Sequence, residues 1–208
     1  MKQYLLNFLF FAACWVVASI FFTIAYTVTD IQYIWQYFIL PALFMGIIGL
    51  IATWLKNKKT LKSRLNYIFI ILAIIVDQSI KIYLFSKDWQ KMSIPLVEPV
   101  FFISPSHNTY GSYLWSLLNL KMMSGWLNLI LVVLIGFIII EFWRFYKIKA
   151  RNSFWLHGFI HLFLAGLACN VLDNILHGGS LDYLTIRPFY TTDLKDNFIT
   201  TSILFMIR

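Results

Sequence analysis

The stretch Tyr67-Ile68-Phe69-Ile70-Ile71-Leu72-Ala73-Ile74-Ile75-Val76-Asp77-Gln78-Ser79-Ile80-Lys81-Ile82-Tyr83-Leu84-Phe85 decides the fold. It lies in an apolar run over 66–86, long enough to cross about 30 Å of hydrocarbon at about 1.5 Å per residue. Near one end it carries Asp77 and Lys81, which a spacing of i, i+4 places on one helix face. Ionisable groups in a membrane span are costly, are usually paired, and mark a functional site by default. The pair also reads as a neutralised anchor for the helix end and its loop.

The rest of the chain agrees with a membrane setting. Of 208 residues, 60% are hydrophobic and only 12% charged, against about 45–50% and about 25% in soluble domains. Disorder is excluded on the same grounds. Further apolar segments fall at 4–29, 32–55, 126–146, 153–172 and 197–208. The expected fold is therefore an all-α polytopic membrane protein of about six transmembrane helices. The last segment, of only twelve residues, is a partial span. Phe11-Ala12-Ala13-Cys14 resembles a lipoprotein cleavage box, but the apolar run around it far exceeds a signal core. The segment reads as a retained helix, and Cys14 and Cys169 as small core residues.

Eleven of the seventeen cations fall on one side, in the connections near 55–66 and 144–151 and at Lys2 and Arg208. That side is cytoplasmic by the positive-inside rule, with both termini inside. The basic loops therefore read as topology signals, and no nucleic-acid partner is expected. Glu141 lies near the cytoplasmic side, whereas Asp30, Asp77, Asp88, Glu98, Asp173, Asp182, Asp193 and Asp196 fall at or near the outer face. The outer segment 87–125 is β-rich around Ser93–Ile103 and broken by Pro95 and Pro99. Proline is confined to edges and strand ends, so a small irregular sheet is expected. Trp115 to Met122 form a candidate interfacial helix.

Two more polar constellations stand out. Asn170 and Asp173 share a helix face at the outer end of the fifth span, next to the small residues Ala165 and Gly166, which admit a close helix neighbour. Asp182 lies between apolar neighbours after Gly178-Gly179, and Asp196 opens the final helix, with Asp193 between them. Two carboxylates at a low-dielectric boundary would share a proton, one serving as base and the other as acid. His157 and His161 have metal-pair spacing, but they lack the intervening Glu and lie far from the acids. No metal or other cofactor is expected.

Taken in order, these motifs resemble lipoprotein signal peptidase (signal peptidase II), a bacterial inner-membrane aspartyl protease. Asp77-Gln78-x-x-Lys81 matches its Asp-Gln-x-x-Lys box. Asn108-Thr109-Tyr110-Gly111-Ser112-Tyr113 resembles its Asn-x-Gly-Ala-Ala-Phe box, and Asn170-x-x-Asp173 its Asn-x-x-Asp. Gly178 to Tyr183 resembles Gly-x-Val-Val-Asp-Phe, and Thr192 to Asp196 sits where the family has Phe-Asn-x-Ala-Asp. The resemblance implies that Asp182 and Asp196 are catalytic. It also implies that Asp77, Gln78, Lys81, Asn108, Gly111, Asn170, Asp173 and Asp193 hold substrate or support the fold. Asp193 is the alternative second acid if the alignment slips by three. The implied fold is four helices, a β-cradle and a surface helix within 87–125. Residues 1–60 would then be two additional helices before a peptidase-like region at 61–208. The implied substrates are diacylglyceryl-modified prolipoproteins, cleaved by a monomer among membrane lipids, with the site near the periplasmic face.

Five positions depart from the family pattern. Cys169 stands for Gly, Asn174 for Arg, Tyr110 for Gly, Asp193 for Asn, and Lys195 for Ala. Lys195 would lower the neighbouring carboxyl's proton affinity or crowd the substrate. A diverged relative that binds lipoproteins or signal helices is the alternative function. A small transporter is a further alternative, but no pair of interrupted helices in corresponding halves supports it.

Overall fold

A computed structural model describes residues 1–25, 34–58, 63–108, 125–149, 153–187 and 190–208. Six α-helices occur there: α1 (Lys2–Ala25), α2 (Ile34–Asn57), α3 (Ser63–Phe85), α4 (Gly125–Lys149), α5 (Phe154–His177) and α6 (Leu194–Ile207). Four strands complete them: β1 (Ile94–Val97), β2 (Phe101–Asn108), β3 (Ser180–Ile186) and β4 (Tyr190–Thr192). The expected polytopic helical architecture with a small sheet is present. Among the described residues, α1, α2, α3 and α5 are long and apolar enough to cross a membrane. The 25 residues of α4 span about 37 Å. The 14 residues of α6 span only about 21 Å and do not cross. Gly111, Tyr110, Asp30 and the interfacial helix near 115–122 lie outside the described residues.

Two boundaries differ from expectation. The fifth span does not stop at 172. It continues to His177 and ends at Gly178, which adopts φ 66° and ψ 16°. A left-handed residue at a helix C-terminus is readily supplied only by glycine or asparagine, so Gly178 sets the end. Asp173 therefore sits inside the helix, where a neighbouring element can cover it. Nor does Asp196 open the last helix. Asp193 is its N-cap, with Oδ1 accepting the Asp196 backbone N–H at 3.0 Å. That bond satisfies one of the amide donors a helix start leaves free.

The sheet is antiparallel in the order β1-β2-β3-β4. Pro95 lies on the edge strand β1, where a missing N–H is tolerated. β2 and β3 pair from Phe101↔Ile186 to Asn108↔Ser180, with an irregularity between Ile103 and Ser106. Pro105, which has no donor, falls inside it. The sheet also places Asp182 opposite Ser106.

α1 and α2 form a close hairpin. A Cβ on Gly46 would meet the Phe8 ring at 2.5 Å, and one on Gly49 would meet the Asn7 carbonyl oxygen at 2.7 Å. Small residues here bring the helix backbones together without a hydrophobic driving force. The hairpin's Phe11, Trp15 and Met45 share a core with Trp155, Phe159 and Phe205 of α5 and α6. Its polar tie is Asn7, which donates to Thr53 Oγ1 at 2.7 Å and accepts from Arg208 Nε at 2.6 Å. The start of α1, the end of α2 and the end of α6 thus meet at one end of the bundle.

Candidate active site

The acids cluster at the opposite end, where α3, α5, β3 and the start of α6 converge. Lys81 Nζ is fully buried and lies 2.9 Å from Asp77, 2.5 Å from Asp173 and 2.7 Å from Asp193. The pair anticipated on one face of α3 is therefore part of a larger network. Gln78 Nε2 donates to Asp173 Oδ1 at 2.9 Å and reaches Asp77 Oδ2 at 3.2 Å. This bridges the two helices beside the lysine.

β3 carries the next layer. Ser180 and Asp182 are two positions apart and so face the same side of the strand. Ser180 Oγ lies 2.8 Å from Asp182 Oδ1 and accepts from Lys195 Nζ at 2.5 Å. Asn108, across the sheet on β2, donates its amide to Asp182 Oδ2 at 2.9 Å. Asp196 presents its carboxyl from the first turn of α6, 3.4 Å from Thr192 Oγ1. Carboxylate oxygens of Asp182, Asp193 and Asp196 lie within 4.8 Å of one another. Of the named candidates, Asn170 makes a separate bond, its Oδ1 accepting from Asn174 at 2.8 Å. Gly111 lies outside the described residues.

Two cations thread this group of acids. Five carboxylates (Asp77, Asp173, Asp182, Asp193, Asp196) face two ammoniums (Lys81, Lys195), a surplus of three negative charges if all ionise. Burial raises the proton affinity of Asp193, but the Lys195 and Lys81 ammoniums outweigh it and hold this carboxyl below its ordinary range. Asp196 behaves oppositely. Burial, with the charges of Asp193 and Asp182 outweighing Lys195, pushes its carboxyl up to about 7. Burial alone would neutralise Lys195, yet Asp196, Asp193 and Asp182 keep it charged, above the usual lysine range. A carboxyl that keeps its proton near neutrality, close to a second carboxyl held by hydrogen-bond donors, is suited to acid–base work on a water and a carbonyl.

Metal chemistry has less room. Asp77, Asp173 and Asp193, and separately Asp182, Asp193 and Asp196, are close enough to share an ion. The cations that already lie among them are the two lysines. At the far end of α5, His161 Nδ1 bonds to the His157 carbonyl at 2.6 Å, which commits one ring nitrogen of that pair.

Sequence reasoning missed Ser180, although alternation with Asp182 on a strand would have exposed it. It saw Lys195 only as a departure. Gly166 does admit a close neighbour, and that neighbour is α6. A Cβ there would meet Ile199 Cγ1 at 2.6 Å and the Lys195 carbonyl oxygen at 2.8 Å. Gly166→Val is accordingly expected to cost about 1–3 kcal/mol of stability through overpacking. It should also displace the turn that holds Lys195 and Asp196. Thermal unfolding together with the rate of processing would register both effects.

The signal peptidase (SPase) II family profile matches residues 68–208, more than half of the chain and all the described acids of the cluster. The chain belongs to the signal peptidase II family. This family comprises aspartic peptidases of the bacterial inner membrane that act on lipoprotein precursors. A lipoprotein signal peptidase from Halothermothrix orenii is 26% identical over 133 residues, which is 64% of this chain and 86% of the relative. Two bacterial membrane enzyme structures, determined in meso at 2.3 and 1.9 Å, are also similar. The first has a TM-score of 0.52 at 20% identity, covering 68% of this chain and 84% of its own. The second has a TM-score of 0.55 at 19% identity, covering 68% and 89%. At these identities the two structures speak to the fold, and the signal peptidase II assignment rests on the sequence match.

Proposed function

We propose that the chain is an active intramembrane aspartyl endopeptidase that removes signal peptides from diacylglyceryl-modified prolipoproteins. The observation that carries this reading is the approach of Asp182 and Asp196, from separate elements, to within 4.8 Å. Asp182, bonded by Ser180 and Asn108, is the base on water. Asp196, which retains its proton near neutrality, is the acid on the scissile carbonyl. Asp77, Gln78, Lys81, Asp173 and Asp193 form the buried frame that brings α3, α5 and α6 together. On this reading residues 61–208 are the peptidase region, and residues 1–60 are an additional hairpin packed against it. The termini lie on the cytoplasmic side, as the cation bias favours, and the acids lie near the periplasmic face. There the lipid and apolar helix of the substrate never leave the bilayer.

One feature favours the diverged, binding-only reading. The Lys195 ammonium stands 3.4 Å from Asp182 and 3.7 Å from Asp196, where a substrate carbonyl and water must be accommodated. Co-expression with a lipidated prolipoprotein separates the two readings. The wild type is expected to shift the precursor to its mature mobility on a gel, whereas Asp182→Asn and Asp196→Asn leave it uncleaved. Processing that survives both substitutions would remove the dyad assignment. A wild type inactive on several lipidated precursors would favour binding without cleavage.

A further inference from the structure

Lys195 stands closer to a third acid than to either member of the pair. Its Nζ is 2.6 Å from Asp193, 3.4 Å from Asp182, and 3.7 Å from both Asp196 and Asp173. It donates to Ser180 Oγ at 2.5 Å, and its side chain is only 3% exposed. The other ammonium, Lys81, has its short contacts with Asp77, Asp173 and Asp193. Tyr183 of β3 and Cys169 of α5 also border this charged cluster.

The two members of the pair are held unequally. Asp182 has Ser180 at 2.8 Å, Asn108 at 2.9 Å and Lys195 at 3.4 Å, and is nearly buried. Asp196 has Thr192 at 3.4 Å and Lys195 at 3.7 Å; surrounding protein encloses it, while its side chain keeps one open side, 44% exposed. Hydrogen bonds to a carboxylate favour its charged form, so the donors collect on Asp182 and leave the proton to Asp196. Ser180 has one proton and three carboxylates within reach, Asp182 at 2.8 Å, Asp173 at 3.2 Å and Asp193 at 3.4 Å; the Lys195 contact turns the serine oxygen's lone pair toward the ammonium, and Asp182 is the nearest acceptor for that proton. Asp193 matters because it offsets this ammonium. Without that charge, a full cation would face the pair and weaken the basicity of Asp182.

We propose that Lys195 is a positioning residue, acting through Ser180 to hold Asp182 as the charged member of the pair, with Asp193 as its compensating counter-charge. The inference rests on Asp182 and Asp196 being the catalytic pair. Removing Lys195 alone sets the Asp193 and Asp182 charges against each other, so Asp182 takes up a proton at higher pH. Removing the lysine and the Asp193 charge together takes away one positive and one negative charge, and the pair returns close to its original balance. Asparagine at 193 also preserves the helix cap.

The test uses the purified full-length chain in lipid, with a lipidated prolipoprotein, and compares wild type, Lys195→Met, Lys195→Arg and Asp193→Asn/Lys195→Met. For Lys195→Met, the acid limb of the pH–kcat/KM profile is expected to rise by about one unit or more, a tenfold loss on that side. Lys195→Arg should keep most of the wild-type profile, and the double variant should return to within about half a unit of it. A Lys195→Met profile scaled down equally at every pH would overturn the proposal, because a purely structural lysine predicts that result. So would additive damage in the double variant. Infrared difference titration of the carboxyl groups on the same samples requires no turnover. An inactive wild type would sink the proposed peptidase function. The titration would then judge Lys195 alone, a displaced proton uptake in Lys195→Met supporting the inference and unchanged uptake overturning it.

Discussion

Asp182→Asn is expected to lower the rate of prolipoprotein processing by about 10²–10⁴-fold at neutral pH while leaving the protein folded. The substitution is nearly isosteric, and an amide oxygen still accepts from Ser180, whose Oγ is 2.8 Å away. What is lost is the group that takes a proton from water, and no neighbouring acid replaces it. Asp193 is bound to two ammoniums, at 2.6 and 2.7 Å, and is committed to capping α6. Asp196→Asn should cost a comparable factor for the opposite reason, because the amide has no acidic proton to give to the scissile carbonyl. The wild-type profile carries the matching sign. Burial pushes the Asp196 carboxyl up to about 7, so the acid is expected to be present below that pH and lost above it, and the rate should fall on the alkaline side. Both limbs belong to the coupled pair and shift together when either member is replaced. Thermal unfolding of each variant, alongside initial rates across pH, would separate lost chemistry from lost fold.

Lys81→Met is expected to be the most damaging change to stability, by about 3–5 kcal/mol. The methionine fills much of the same volume, so the cost is electrostatic. Three buried carboxylates, Asp77, Asp173 and Asp193, would lose a cation lying within 2.9 Å of each. Gln78 bonds both Asp77 and Asp173 but supplies no charge. Lys195 reaches Asp173 only at 3.7 Å. Adding Asp77→Asn to Lys81→Met should recover part of the loss, because one uncompensated charge is then removed. Thermal unfolding of wild type, Lys81→Met and the double variant measures this. Equal stability in all three would show that the network contributes little.

Much of this architecture can be read from residues 67–85 and the apolar runs around them, because a span's requirement for length and apolarity is local. The Asp77–Lys81 spacing is legible for the same reason, since helix periodicity places the partners without knowledge of the rest of the fold. The third and fourth partners, Asp173 and Asp193, are 92 and 112 positions from Lys81 in sequence, and only packing unites them. The sheet was half visible. Pro95 and Pro99 mark the irregular outer strands, but nothing local in Ser180–Ile186 announces a pairing with β2. Gly178 stands in the sequence only as half of a Gly-Gly pair before Asp182, whereas in the structure it is the fixed stop of α5. Asp193 resembles a substitution beside the pair until its backbone partner, the amide of Asp196, identifies it as the cap.

The irregularity in β2 has its own consequence. Side chains alternate along a strand, so a count of one decides which residue faces the acids. Between the Ile103↔Leu184 and Ser106↔Asp182 pairs, β2 advances three residues while β3 advances two. An unbroken ladder in this sequence would set Pro105 opposite Asp182 and His107 opposite Ser180, turning Asn108 to the other face. The carboxylate would then meet an imidazole, a group that changes charge near neutral pH, instead of an amide that does not. The extra residue acts as a parity setting for the site. An insertion or deletion of one position between Ile103 and Ser106 changes the chemistry facing Asp182 unless the local geometry absorbs it.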